Sequence, residues 1–427
     1  MDLSISDPNF HVLVVGAGSV GLLIAQNLKK VCIPPKLTFQ SDLITHSTST
    51  QLGIKCTVFE RESYLNQRPR EWNFGIYWAQ VPLTECLPQS IIDKLSTAQV
   101  DPDRAPREDD FFPIFNAQTG VLLKKLPAAN MLRMNRPRFR ALIAEGVDIQ
   151  YGKRLRTIAH PNVTADGKNL VTALFEDGTE AIGNLLIGAD GSRSKVREYL
   201  LGPRLAALQL LPLVGCLAII TTFPADLARK IRKDYHDILL NGSHPDGANI
   251  FMSLHEIPSP SQPETWKWML TLTWKYCPTE SLSTRTEIRS AWDTWANKLT
   301  EPFHSACTSA PKDAPMWFER VAHWPTVEWD DRWGTVSLAG DAAHPMTFHR
   351  GQGLNNAIHD AAHLCRALYT HVKEGKPLAE AMAVYETEVV ERGRKAVEES
   401  AMNSLMIHEW EKMKESMLLR NGMKKIS

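Results

Sequence analysis

Apolar positions along the 427-residue chain repeatedly form a short run that ends in glycine and is followed by residues at helical spacing. The run Phe10–Val15 leads into Gly16-Ala17-Gly18-Ser19-Val20-Gly21, after which Leu22, Leu23, Ala25 and Leu28 share one helical face. This predicts strand, tight turn, helix. In VTALFEDGTEAIGNLLIGADGSRSKVR an alternating strand turns at Asp177-Gly178. A buried run, Leu185-Leu186-Ile187, then ends in Gly188-Ala189-Asp190-Gly191, with Ser192, Arg193, Ser194 and Arg197 at a helix start. Farther on, Val336-Ser337-Leu338-Ala339 opens into GDAAHPMTFHRGQGLNNA, residues 340–357. Leu354, Ala357, Ile358, Ala361 and Leu364 give the following helix an apolar face. Three predicted strands thus end in glycine clusters.

In the first cluster Gly16 permits the turn, Gly18 lets a pyrophosphate approach the backbone, and Gly21 lets the helix pack on the strand. A glycine-rich turn without ligand is the plainer alternative. The motif calls for an acidic residue ending the next strand, about 20 positions on. Glu60 closes Cys56-Thr57-Val58-Phe59 but lies 39 positions after Gly21. The excess falls in residues 31–51, a loop-like stretch with two prolines and little periodicity. It reads either as a surface insertion or, the reading favoured on coding grounds, as a retained intron. Val31-Cys32 can be encoded by a 5′ splice-site sequence and Gln51 by CAG. Joining Lys30 to Leu52 would place Glu60 18 positions after Gly21. Arg61, Arg68 and Arg70 follow Glu60 and suit phosphate, although any of them could be a solvated surface charge. Arg136 and Arg140, at i,i+4 spacing, predict one inward-facing arginine. Helix capping alone would account for Asp190 and Ser192.

Composition narrows the function classes. The length suits two domains, and the equal counts of 48 basic and 48 acidic residues supply no net field for nucleic acid or an anionic membrane. Residues 1–9 lack a signal-peptide pattern, and no apolar run reaches the length of a membrane span, so a soluble, cytoplasmic protein is expected. Seven scattered cysteines, never spaced C-x-x-C, point to buried free thiols and to no metal site. Nine of twelve tryptophans lie in 266–333, where the alternation around Trp266, Trp268 and Trp274 predicts a strand with one large apolar face. Most are expected in the core, with a minority walling a cavity. His236, His244, His255 and His323 read as structural or surface residues. After residue 365 the chain is helical in character. Glu388, Glu391, Arg392, Arg394, Glu398 and Glu399 suggest a solvated face, and Met402, Leu405, Met406 and Trp410 a docking stripe.

In order and spacing the three clusters resemble those of the single-component, group A FAD-dependent monooxygenases, the aromatic hydroxylases and zeaxanthin epoxidase-like enzymes. RPREWNFGIYWAQ and GDAAHPMTFHRGQG look most like fungal members, many of which act in secondary metabolism. The resemblance implies an α/β fold of para-hydroxybenzoate hydroxylase type: a Rossmann-type FAD-binding domain, an inserted β-sheet substrate domain and C-terminal helices. FAD-binding parts would be 1–80, 131–200 and 331–370, substrate-domain parts 81–130 and 201–330, and the helical region 371–427. By the same resemblance, Gly340-Asp341 would bind the ribityl chain and the backbone at Gly353 and Leu354 the flavin pyrimidine. Glu60 would take the adenosine ribose, Arg61, Arg68 and Arg136 would lie along FAD, and Asp190-Gly191 would serve FAD and NAD(P)H.

The implied reaction has NAD(P)H reduce FAD and O₂ add at flavin C4a, the hydroperoxide passing one oxygen to an aromatic or alkene-containing small molecule, such as a prenylated one. No catalytic nucleophile or metal is required. One departure stands out: where relatives commonly carry proline before the Gly-Gln-Gly turn, this chain has Thr347-Phe348-His349. Phe348, His349 and Arg350 are therefore substrate-pocket candidates. The W-K-W at 266–268 lacks the x-I-P that marks flavin halogenases. A flavin dehydrogenase or oxidase and a non-catalytic nucleotide-fold binding protein are the alternatives. The sequence specifies no oligomeric state.

Overall fold

The computed structural model describes residues 10–30, 53–68, 71–159, 169–279 and 282–423. The suspected insertion at 31–51 and Arg70 lie outside them.

Five parallel strands form one sheet in the order Val336–Leu338, Leu185–Gly188, His11–Val15, Lys55–Glu60, Ile149–Tyr151. His11–Val15 is buried along almost its whole length, as expected of a parallel strand covered on both faces. The dinucleotide helix Ser19–Lys30 packs on the helix Gly353–Glu374. This sheet and its helices build one core; a second forms around a seven-stranded, mostly antiparallel sheet. The order there is Trp317–His323, Gln209–Thr222, Lys267–Lys275, Ala248–Glu256, Leu239–His244, Phe111–Asn116, Leu122–Pro127. A small ladder, Asn73–Ile76 with Leu132–Asn135, lies between the two cores. Val171–Phe175 and Glu180–Gly183 pair antiparallel about Asp177-Gly178, as the alternation predicted.

Several expectations change. The tryptophan strand Lys267–Lys275 is buried on both faces rather than one, while Trp268 and Trp274 lie in the core as expected. Cys277 is exposed, unlike the buried Cys86, Cys216 and Cys307. In the 30-residue helix Leu378–Ile407, Met402 is exposed, while the docking face runs through Val397, Ala401, Ser404 and Ile407. Nor is the charged face wholly solvated. Arg392 turns inward to Asp360, because tertiary packing supplies a carboxylate that the helix's own sequence does not reveal.

Candidate active site

The three glycine clusters meet because their strands are neighbours in the parallel sheet and all end at its carboxyl edge, the edge where ligands of open α/β sheets bind. The backbone carries the junction. Ala189 donates its N–H to Val15 O (2.8 Å) and Ala339 donates to Gly188 O (2.9 Å). A Cβ on Gly16, whose φ is +110°, would stand 2.4 Å from Ala189 O, and one on Gly21 would stand 2.0 Å from Gly16 O. A Cβ on Gly18 would meet nothing nearer than Ala189 O at 4.0 Å. Gly16 and Gly21 thus have internal reasons to be glycine, whereas Gly18 leaves its space to something else.

Glu60 ends the second strand beside this turn. Its Oε2 accepts from Ala17 N (2.9 Å) and Arg140 Nη2 (3.2 Å), and its Oε1 from Glu62 N (2.9 Å). A carboxylate offers about four lone-pair sites, so roughly one remains for a ribose hydroxyl. The inward arginine of the i,i+4 pair is Arg140. It is buried, and its Nε also donates to Ala17 O (2.7 Å). Arg136 instead stacks its guanidinium 4.3 Å over the Trp72 ring. Arg68 lies 3.8 Å from Glu62, and Arg61 is exposed. Helical phase explains the exchange, since the face that buries Phe139 and Ile143 also carries Arg140.

In the second cluster Asp190 acts as a cap. Its Oδ2 accepts from Lys195 N (2.6 Å) and Val196 N, at the start of the helix Lys195–Leu205. Among the described residues its Oδ1 is buried without a hydrogen-bond partner, and a Cβ on Gly191 would meet nothing within 4 Å. Arg197 reaches from this helix to the third cluster, donating to Ala342 O (2.9 Å) and Asp341 O (3.3 Å). Burial lowers its pKa to about 10, while Asp190 and Asp341 oppose the shift.

In the third cluster Gly340, with φ +60°, packs so closely on Val20 that a Cβ would stand 2.8 Å from it. Asp341 is exposed, yet its desolvation by surrounding protein raises its pKa, with His344 and Arg197 opposing. Those two properties together place the carboxylate in a cleft. A Cβ on Gly353 would lie 3.9 Å from Asp341 Oδ1, so this carboxylate stands beside the first residue of the helix Gly353–Glu374. Among the described residues no side chain caps that helix, and its first N–H groups remain available to an electron-rich ligand edge.

A family model described as "FAD binding domain" matches residues 139–400. The FAD-dependent monooxygenase cctM of Talaromyces islandicus is 42% identical over 418 residues, covering 98% of each chain. The chain belongs to the FAD-dependent monooxygenases. The FAD-dependent monooxygenase phnB of Penicillium herquei is 34% identical, over 98% of this chain and 96% of its own. Among solved structures, Klebsiella pneumoniae HpxO complexed with FAD and uric acid superposes with a TM-score of 0.69 at 18% identity, covering 97% and 95%.

The residues of this monooxygenase fit FAD: an open cradle at Gly18, an unpartnered Asp190 Oδ1, and Asp341 in its cleft beside an uncapped helix. When bound, FAD supplies electron transfer and activation of O₂, with NAD(P)H the family's usual reductant. The protein shapes and rigidifies the seat. Asp360, fully buried, accepts from Gly340 N (2.7 Å) and pairs with His344 Nε2 (2.6 Å) and Arg392 Nη2 (2.5 Å). Burial opposes its ionisation, but His344 and Arg392 outweigh that and hold its pKa far down. The spacing of these three residues along the chain carried no signal of their meeting.

The pocket candidates part company. Phe348 is 41% exposed and stacks on His349, their centroids 4.3 Å apart. His349 bonds Ser404 Oγ (2.8 Å) through Nδ1 and Thr273 Oγ1 (3.1 Å) through Nε2, tying the turn to the long helix and to the large sheet. His408 completes this network at Thr273 Oγ1 (2.9 Å). Burial, reinforced by His408, pushes the His349 pKa well below its usual value, so the imidazole is neutral. Arg350 is buried and paired with Glu399 (3.0 Å), as a buried guanidinium is held where a carboxylate meets it.

Proposed function

We propose that this monooxygenase inserts one oxygen atom from O₂ into a flat aromatic or prenylated small molecule in secondary metabolism, using NAD(P)H as reductant. The reading rests on one observation above the others: Asp341, an exposed carboxylate surrounded by protein, stands where three glycine clusters and an uncapped helix converge. In it, Gly16, Gly18 and Gly21 seat the pyrophosphate, Glu60 with Arg140 the adenosine ribose, and Asp341 the ribityl chain. Gly353 and Leu354 present N–H groups to the pyrimidine edge, where the helix N-terminus favours negative charge. Asp190 and Gly191 serve FAD and NAD(P)H. Phe348 presents an apolar face to the substrate, and His349 holds it there.

The seven-stranded sheet is the substrate domain, drawn from 81–130 and 201–330, and the protein works in the cytoplasm. Among the described residues no helix is long and apolar enough to cross a membrane, which is compatible with that location. The test is NAD(P)H consumption by FAD-loaded protein with a panel of aromatic and prenylated compounds under ¹⁸O₂. One labelled oxygen in the product supports the reading. Substrate oxidation without label would assign a dehydrogenase or oxidase instead.

A further inference from the structure

Several inward-facing arginines among the described residues have partners within the fold. Arg140 pairs with Glu60 and Glu62, Arg350 with Glu399, Arg392 with Asp360 and Glu388, and Arg197 spends its N–H groups on backbone carbonyls. Arg133 differs. It is 5% exposed and lies opposite Gly75 in the ladder between the two cores. Its Nε donates to Asn73 Oδ1 (2.7 Å), and its Nη2 lies 3.4 Å from both Asn73 O and Ser253 Oγ. Among the described residues no carboxylate pairs with it. The Tyr77 phenol lies over Gly75, where a Cβ would stand 2.3 Å from its Oη, and Gly75 faces Arg133 across the ladder; the same phenol offsets part of the guanidinium's desolvation.

A buried guanidinium with no counter-charge is disfavoured, and arginine does not escape by losing its proton. A neutral amide could serve Asn73 as well. The charge therefore needs a reason outside the resting fold, and its surroundings point to a ligand. Tyr77 lies against the third-cluster turn, where a Cβ on Gly351 would be 3.6 Å from Tyr77 Oη. Its backbone is clipped there by Asn355, which accepts from Tyr77 N (2.8 Å) and donates to Gly75 O (3.0 Å). The guanidinium sits 5.0 Å over the Phe251 ring. Phe251 is half-buried although both neighbouring strands pair with its own, and Phe112 lies nearly parallel to it.

We propose that Arg133, with the Tyr77 hydroxyl beside it, binds an oxyanion of the substrate, a ring carboxylate or acidic phenol or enol on a flat aromatic molecule, and so sets which end enters first. This rests on the proposed function for the identity of the ligand as substrate. The Arg133 fork meets the anion, Tyr77 donates its hydroxyl proton to it, and Phe251 faces the ring.

The test titrates FAD-loaded protein with 2-naphthoate and with its neutral isostere 2-naphthamide, reading binding from the flavin absorbance change and by calorimetry. The wild type binds the carboxylate about tenfold more tightly, the scale of one hydrogen bond to a charged group. Arg133→Gln removes that preference and leaves amide affinity and FAD content unchanged, and Tyr77→Phe reduces it. If Arg133→Gln does not fold, Arg133→Lys with Tyr77→Phe decides: a smaller preference in both supports the assignment. Equal binding of the two probes by the wild type, no binding of either, or a preference untouched by the variants overturns it. A raised KM for NAD(P)H in place of lost selectivity assigns the pair to the nicotinamide nucleotide, and also overturns it. Since the readout is binding, absence of oxygen transfer would sink the proposed function while leaving this result standing.

Discussion

Substitutions at Gly18 and Gly21 should separate the ligand's demands on the first cluster from the fold's. An alanine methyl at Gly21 would stand 2.0 Å from Gly16 O, against an ordinary carbon–oxygen contact of roughly 3.2 Å, so turn and helix must part by about 1 Å. Overpacking on that scale costs about 1–3 kcal/mol, here between a buried strand and a buried helix. At Gly18 the same methyl enters open space, 4.0 Å from its nearest neighbour, and φ is not in the left-handed region. The apoprotein should gain about 0.4–1 kcal/mol from a stiffer unfolded chain. With FAD the order reverses. The Gly18 methyl occupies the approach of the pyrophosphate, and a lost charge-assisted contact of roughly 1.5–3 kcal/mol weakens FAD about 10- to 100-fold. Thermal melting of apoprotein and titration by flavin fluorescence quenching read the two effects separately. Gly18→Ala binding FAD like wild type, or Gly21→Ala apoprotein melting like wild type, would contradict this division of roles.

Other outcomes follow from the same geometry. Asp341→Ala should weaken FAD retention by about 10- to 100-fold, since it removes a charged partner of the ribityl hydroxyls; equilibrium dialysis checks this. His408 is buried neutral, with its pKa lowered to about 4 by burial, so it lends stability above the unfolded value near 6.5 that is lost as pH falls toward 4. The loss is up to about 3 kcal/mol. His408→Gln should flatten the fall in melting temperature over that window. Joining Lys30 to Leu52 should leave a folded protein with equal or better flavin content, because Ile54 N already bonds Leu28 O at 3.2 Å and flexible-loop length costs only about 0.6 kcal/mol per doubling. Loss of folding in that deletion, seen by circular dichroism, would make 31–51 a structural element, and genomic DNA without GT…AG boundaries there would end the intron reading.

Features that depend on local physics were open to reading from the amino-acid order alone. Gly16, Gly18 and Gly21 between a β-branched run and a helical one, the Asp177-Gly178 turn, and the GDAAHPMTFHRGQG run were legible because turns, caps and periodicity act over a few residues. Together they also carried the family. Which charges meet emerges from long-range packing. Arg140 rather than Arg136 takes Glu60, Arg350 is drawn to Glu399, and Asp360 holds Gly340 from behind with His344 and Arg392. A buried charge is placed by the partner that offsets its desolvation, and that partner can come from any part of the chain. Arg133 shows the point most clearly: in sequence it is one arginine of the run RMNRPRFR, and only the packing of Asn73, Tyr77 and Phe251 around it shows a charge that no carboxylate among the described residues meets.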